Sequence, residues 1–250
     1  MRELRYGNIM GTKFPAILAG VIFSVFSMAI ISEARTMETD GLNEKQQKIV
    51  AISAFTAKGD LNNLNIALNE GLDAGLTVSE IKEILVQMYA YAGFPRSLNA
   101  LGTFMGVVEE RKRQGIKDEP GREPNPLPAD KSRRELGAEV QTILMGAPTS
   151  GGVFAFAPAI DAFLKDHLFA DIFGRDNLDF QTREIATISA LASLEGVGPQ
   201  LRAHFTIGMN VGLSQAQLES LASVLKSRVG QKEAANAEEV LNKVSSDKGK

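Results

Sequence analysis

One helical unit is written twice in this 250-residue chain. Setting Gly212 on Gly75 and counting back puts Gly208 on Gly71 and Leu201 on Leu64. Counting forward without a gap puts Gly230 on Gly93, Asn236 on Asn99 and Ala237 on Ala100. With one residue of slack in a turn, Leu178 falls on Leu42, Ile188 on Ile52 and Ser189 on Ser53. Two copies of one helical unit are the economical reading.

The periodicity within each copy is helical. Ile49, Ile52 and Phe55 line one face of Leu42 to Lys58, and Leu61, Leu64 and Leu68 line the next segment, with Gly75 as its stop. Thr77 followed three residues later by Glu80 is a capping-box start for a helix carrying Ile81, Ile84, Leu85 and Met88. Gly93-Phe94-Pro95 interrupts it, and a further helix runs from about Arg96 to Arg113. Residues 115–134 hold Pro120, Pro124, Pro126 and Pro128 among charges, and read as an extended, solvated linker. Leu136 to Met145 and Pro158 to Phe169 are helical, and Asp171 to Asn177 is a polar connection. Leu178 to Leu213 then reads as a helical hairpin turning at Gly196 to Pro199. No stretch alternates at period two, so the expected class is all-α.

Composition excludes several functions. A net charge of −3 offers no footprint for nucleic acid. Cysteine is absent, which removes disulfides, thiolate metal sites and cysteine nucleophiles. Two histidines, His167 and His204, cannot build a multi-histidine metal site, and no metal or cofactor is expected. Residues 1–34 begin with Arg2, Arg5 and Lys13, continue through the apolar run Phe14 to Ile31, and end at Ser32-Glu33-Ala34. They read as a signal peptide or membrane anchor, so the folded part is expected to be exported, periplasmic or secreted.

Acid/base chemistry is easiest to place on the second hairpin. Leu201, His204, Phe205 and Gly208 share one face of its second helix, which points His204 inward. Glu184 lies above Ile188 and Leu191 on the apolar side of the first helix. A buried Glu needs a partner, and His204 is the obvious one. Such a pair either pins two helices together or relays a proton. Arg183 either meets a substrate carboxylate bidentately or forms a surface ion pair, and the surface is the stronger expectation. Tyr89, Tyr91 and Phe94 make an aromatic wall, either core packing or the lining of a substrate pocket. His167 reads as a packing or surface residue. The first copy has Lys48 where the second has Glu184, and Ala67 where the second has His204.

These residues resemble the carboxymuconolactone decarboxylase family in a tandem-domain form. The resemblance rests on Arg183-Glu184 near a helix start, His204 on the following helix with Gly212 eight residues on, and the block Tyr89 to Leu101. It covers roughly residues 40–113 and 135–245, and implies two domains, 35–114 with a degenerate site and 135–250 with the candidate site. The alkylhydroperoxidase D branch of the superfamily uses Cys-x-x-Cys ahead of the His, where this chain has Val197 and Gln200. Related tandem proteins carry Cys where Ala92 stands. Peroxidase chemistry that needs a low-pKa thiol is therefore not expected here.

The resemblance implies a carboxy-lyase-like, cofactor-free enzyme acting on a small anionic organic substrate. Glu184 and His204 would be catalytic, with Arg183, Tyr89 and Phe94 binding substrate. The alternative is a non-catalytic small-molecule-binding or structural module. Single-repeat relatives form symmetric oligomers, so a homo-oligomer, most simply a trimer, is the expected partner state. No nucleic-acid partner is expected, and no membrane contact beyond the N-terminal segment.

Overall fold

A computed structural model describes residues 40–248 of the chain. The export segment expected at residues 1–34 lies outside them. The first half contains α1 (Glu44–Lys58), α2 (Leu61–Asp73), α3 (Val78–Gln87), a four-residue α4 (Tyr89–Ala92) and α5 (Phe94–Arg113). The second contains α6 (Arg133–Met145), the short α7 (Val153–Phe156) and α8 (Pro158–Phe163), and a π-helical segment Leu164–Phe173. It ends with α9 (Phe180–Ala192), α10 (Gly198–Asn210), α11 (Gln215–Arg228) and α12 (Gln231–Lys248). No strand occurs among the described residues, as the all-α expectation requires. No helix among them is long and apolar enough to cross a membrane.

The core is built around α1 and α9, which pack against each other. Every residue from Ile49 to Ala57 and from Arg183 to Ala192 is buried. A helix without a polar face has to be surrounded, and the sequences IVAISAFTA and REIATISALA supply none along these stretches. Three of the hydroxyls they bury are satisfied within the helix, while Ser53 Oγ has no partner among the described residues. Thr56 Oγ1 donates to the Ile52 carbonyl at 2.7 Å, Thr187 Oγ1 to that of Arg183 at 2.9 Å, and Ser189 Oγ to that of Ile185 at 2.6 Å.

The internal repeat is visible as matched packing. A methyl group on Gly71 would lie 3.0 Å from Ile52 Cδ1 and 3.2 Å from Leu76 Cδ1. On Gly208 it would lie 3.3 Å from Ile188 Cδ1 and 3.2 Å from Leu213 Cδ1. The paired glycines thus let α2 onto α1 and α10 onto α9 in the same way, against residues that correspond in the two copies of the repeat. The Thr77 capping box forms as expected: Glu80 N–H donates to Thr77 Oγ1, and Thr77 N–H donates to Glu80 Oε2 at 2.7 Å. A cap of this kind stabilises a helix start by about 1 kcal/mol.

Three features differ from the sequence expectation. The helix of Ile81 and Ile84 ends at Gln87, and Met88 separates it from α4, so the aromatic block is re-aimed before Gly93. The helix that starts at Pro158 gives way at Leu164 to π-helical winding. That winding takes in Asp171 to Phe173, which read as connection, and turns Phe169, Ile172 and Phe173 toward Val140 and Leu144. Gly137 permits it, since a Cβ there would sit 1.7 Å from the Lys165 carbonyl oxygen. The Pro-rich segment has no regular structure, yet it is tied down rather than merely solvated. The carbonyls of Glu119 and Pro120 accept from the free N–H groups of Val78 and Ser79 at the start of α3 (3.0 and 2.9 Å). Asp176 accepts from Asn125 N–H at 2.8 Å and from Arg122 at 3.0 Å.

Candidate functional site

Asp179 caps α9, accepting from Thr182 N–H at 2.7 Å, and sets Glu184 in the helix's second turn. Pro199 in the first turn of α10 fixes where that helix begins. Gly208, one turn beyond His204, keeps α10 close, for a methyl there would lie 3.9 Å from Glu184 Cβ. The result is a direct contact: His204 Nδ1 lies 2.8 Å from Glu184 Oε2. An ionised carboxylate only accepts, so Nδ1 carries the proton and Nε2 is left as the ring's working nitrogen. Glu184 is wholly buried, while the His204 side chain keeps 13% exposure. The His204 ring makes no other hydrogen bond among the described residues, and Glu184 Oε1 is buried without a partner.

Tyr91 is the site residue that sequence reasoning missed as such. It comes from the first repeat and sets its ring edge-on against His204, with centroids 5.3 Å apart and planes at 84°. Its hydroxyl is buried and has no hydrogen-bond partner among the described residues. Burial, and then the charge of Glu184, push the phenol well above its usual pKa, only partly offset by Thr187 and Arg183. Tyr91 therefore keeps its proton and is a donor throughout the working pH range. The readable signal was the aromatic block itself; which repeat it would cover was not written in it.

Arg183 corrects the expectation. It is not at the surface but fully buried, and its guanidinium is engaged. Nη2 donates to Glu83 Oε1 (2.9 Å) and to the Arg175 carbonyl (3.0 Å), and Nη1 donates to Gln87 Oε1 (2.9 Å). Glu83 also accepts from Arg175 at 2.9 Å and Asn177 at 3.2 Å, and Gln87 donates to Thr187 Oγ1 at 2.8 Å. Burial favours the neutral Arg183 and lowers its pKa against the pull of Glu83. Burial alone would raise the Glu83 carboxyl, but its two arginines outweigh that and hold it below its usual value. The network joins α3 of the first repeat to α9 of the second and takes up Nη1 and Nη2, while Nε, itself buried, has no partner among the described residues.

Tyr89 and Phe94 stack on each other at 4.3 Å, and Tyr89 leans on His167 at 5.6 Å. Phe94 is 61% exposed. These two form a wall beside His167 rather than against His204. His167 is itself a surface residue, with Nδ1 3.0 Å from Asp171 Oδ2. Among the described residues no group of three or more His, Asp or Glu converges as a metal site.

Two cavities lie near the hairpin. One of about 910 Å³ sits at its turn, between Glu195, Gly196, Arg96 and Lys232. The other, about 340 Å³, runs along the outer flank of α10 by Pro199, Ala203 and Ile207. Neither is lined by Glu184 or His204. The exposed edge of His204 is the pair's contact with solvent.

The family model described as "Carboxymuconolactone decarboxylase family" matches residues 28–104 and 158–243, well over half of the chain, one match in each repeat. The chain is also 30% identical over 82 residues to an "uncharacterized 15.0 kDa protein in nqo9-nqo10 intergenic region" of Paracoccus denitrificans. That alignment covers 32% of this chain and 61% of the relative.

Proposed function

The chain belongs to the carboxymuconolactone decarboxylase family, and we propose that its second repeat carries a cofactor-free proton-transfer site acting on a small organic molecule. The observation that carries this reading is the 2.8 Å contact between buried Glu184 and the partly open His204. Glu184 holds the imidazole in one tautomer, while Nε2 gives or takes a proton at the substrate's reacting carbon. Decarboxylation of a β,γ-unsaturated acid or lactone acid is one reaction within reach. The C–C bond to the carboxylate breaks, CO₂ leaves, the electron pair moves into the substrate's π-system, and His204 supplies the proton to the carbon that receives it. A buried site and a proton donor are sufficient for that step.

The test is a screen of small unsaturated acids, lactones and enols, followed by His204→Ala on any compound turned over. A folded His204→Ala protein with the wild-type rate ends the proposal. The competing reading is a pair that only pins α9 to α10, and the absence of the pair from both neighbouring cavities favours it. In that case Glu184→Gln and His204→Ala lower stability while no compound in the screen is consumed.

Export and assembly belong to the same proposal. The mature chain is expected to begin near Arg35, which amino-terminal sequencing of protein from the native host decides. Exposed Phe94, Leu98 and Met105 on α5, and Val153, Phe156 and Phe163 around α7 and α8, support burial against further copies. A homo-oligomer, most simply a trimer, is expected; a monomer by light scattering at micromolar concentration contradicts it.

A further inference from the structure

Arg133 and Arg175 line one cavity of about 490 Å³ beside the Pro-rich segment. Each is anchored through one nitrogen. Arg133, at the start of α6, donates from Nε to Asp171 Oδ1. Arg175 donates from Nε to both oxygens of Glu83, at 2.9 and 3.0 Å. No hydrogen bond from the Nη nitrogens of either arginine occurs among the described residues. The carboxylates that anchor them have other partners too. Asp171 Oδ2 lies 3.0 Å from His167 Nδ1, and Glu83 also accepts from Arg183 and Asn177. A guanidinium steadied at Nε keeps its planar fork of N–H donors in a fixed direction, and a fork of that kind binds a carboxylate through two parallel bonds.

The rest of the cavity says what kind of anion fits. Pro124, Pro126 and Leu127 give it an apolar side. That side is held in place, because Asn125 donates to Asp176 from its backbone N–H at 2.8 Å and from Nδ2 at 2.6 Å. Asp176 is thereby spent on the Pro-rich segment and on Arg122 rather than on its neighbour Arg175. The arginines joined in these ion pairs are Arg133, Arg175 and Arg183, and the carboxylates they share are only Asp171 and Glu83. One positive charge is left over, which suits a monoanion better than a dianion. The volume falls among small-molecule pockets, roughly 300–1,000 Å³. We propose that Arg133 and Arg175 form a seat for the carboxylate of a small organic monoanion whose apolar body lies against Pro124, Pro126 and Leu127. Glu184 and His204 line no part of this cavity, so the seat stands apart from the proton-transfer reading and either can fail alone.

The probes are benzoate, its neutral counterpart benzamide, and inorganic phosphate, each titrated into the full chain by calorimetry at low salt. Benzoate is expected to bind saturably, with benzamide at least about tenfold weaker, since it lacks the charge-assisted bonds. Arg133→Gln removes one fork and should weaken benzoate about tenfold. Arg175→Lys keeps a cation beside buried Glu83, which protects the fold, but loses the planar fork, and should weaken benzoate by a similar factor. Arg202→Gln, at an exposed arginine that pairs with Asp247 and lies outside this cavity, should leave benzoate unchanged. His204→Ala should also leave it unchanged.

Benzamide binding as tightly as benzoate overturns the proposal, and so does the absence of saturable benzoate binding. Phosphate binding as tightly as benzoate overturns the monocarboxylate class. Unchanged benzoate affinity in either folded Arg133→Gln or folded Arg175→Lys removes that arginine and with it the seat. An equal loss in Arg202→Gln would mean attraction to surface charge alone, and a loss in His204→Ala would place the acid at the Glu184–His204 pair instead; each ends the proposal.

Discussion

In the second repeat a carboxylate and an imidazole meet at 2.8 Å, the carboxylate out of solvent. Their counterparts in the first repeat, Lys48 and Ala67, cannot do so, because alanine has no polar atom to offer. Lys48 turns instead to Glu70 at 3.3 Å, and Glu70 also receives Arg228, all three partly exposed. The covering residue differs too. Counting two back from the paired glycines Gly93 and Gly230 puts Tyr91 opposite Arg228. One scaffold therefore holds an acid/base pair with a buried carboxylate and a largely buried imidazole under an aromatic ring in one place, and a solvated ion cluster in the other. The backbone conditions are shared, as the packing at Gly71 and Gly208 shows. What separates a reactive pair from a surface cluster is burial, and burial is set by a few side chains.

The largest effect expected from that difference is on rate. His204→Ala should reduce turnover of an identified substrate about 10²–10⁴-fold, the usual worth of one acid/base group. Substitutions at Ala67 should leave it unchanged. The comparison can be broken directly by grafting Lys48→Glu with Ala67→His into the His204→Ala chain. Turnover should stay low, because Arg228, not Tyr91, stands over that position. Steady-state rates on the purified variants decide it, and recovery to near wild type would show that the pair alone is sufficient.

A second contrast lies in the ion pairs. Glu83 and Arg183 are 2% and 0% exposed and cross from one repeat to the other. Removing Glu83 strands Arg183 as a buried charge with no counter-ion, so Glu83→Ala should cost about 3–5 kcal/mol in urea unfolding, while Arg183→Ala, which leaves Glu83 its partner Arg175, should cost somewhat less. Replacing both with apolar residues of similar size should cost less than either alone. The pH dependence comes from Glu83, whose folded pKa is lowered below 4.5 by Arg175 and Arg183 despite burial. A depressed folded pKa means that its stabilisation is whole above 4.5 and is lost as pH falls from there through the folded value. Unfolding free energies should therefore drop more steeply below that pH in the wild type than in the double apolar variant.

These contrasts were unequally legible in the sequence. Glu184 and His204 could be paired because both sit on apolar faces of one hairpin, and a short turn forces neighbouring helices together. The Thr77 cap and the paired glycines were readable for the same local reason. Arg183 was misjudged because its partner Glu83 lies 100 residues away, on a helix of the other repeat. A signal did exist: a carboxylate embedded between Ile81 and Ile84 needs a cation, and the adjacent Lys82 lies on the other side of the helix, where it pairs with Glu123. Tyr91 failed in the same way, since its contact with His204 depends on how the two repeats dock. The π-helical winding after Leu164 depends on Gly137 making room for a carbonyl from another segment, which no periodicity records.

The smallest effect is expected where the first repeat's cluster is dismantled. Lys48 and Glu70 keep 23% and 30% of their side-chain surface, and Arg228 keeps 38%. Arg228 and then Lys48 lower the Glu70 pKa against the opposing pull of burial, but charges this exposed are screened by water and salt. Exposed pairs are typically worth about 0.2–1 kcal/mol, since ordering two long side chains offsets most of the attraction. Lys48→Ala and Arg228→Ala should each change unfolding free energy by no more than that, and by less at about 0.5 M salt, where screening acts over only a few ångströms. A loss comparable to that of Arg183→Ala would mean the cluster is shielded by something that covers it, such as another copy of the chain. The contrast between a buried pair and a solvated one would then hold only for the isolated protomer, and the same titration run across protein concentration would show it.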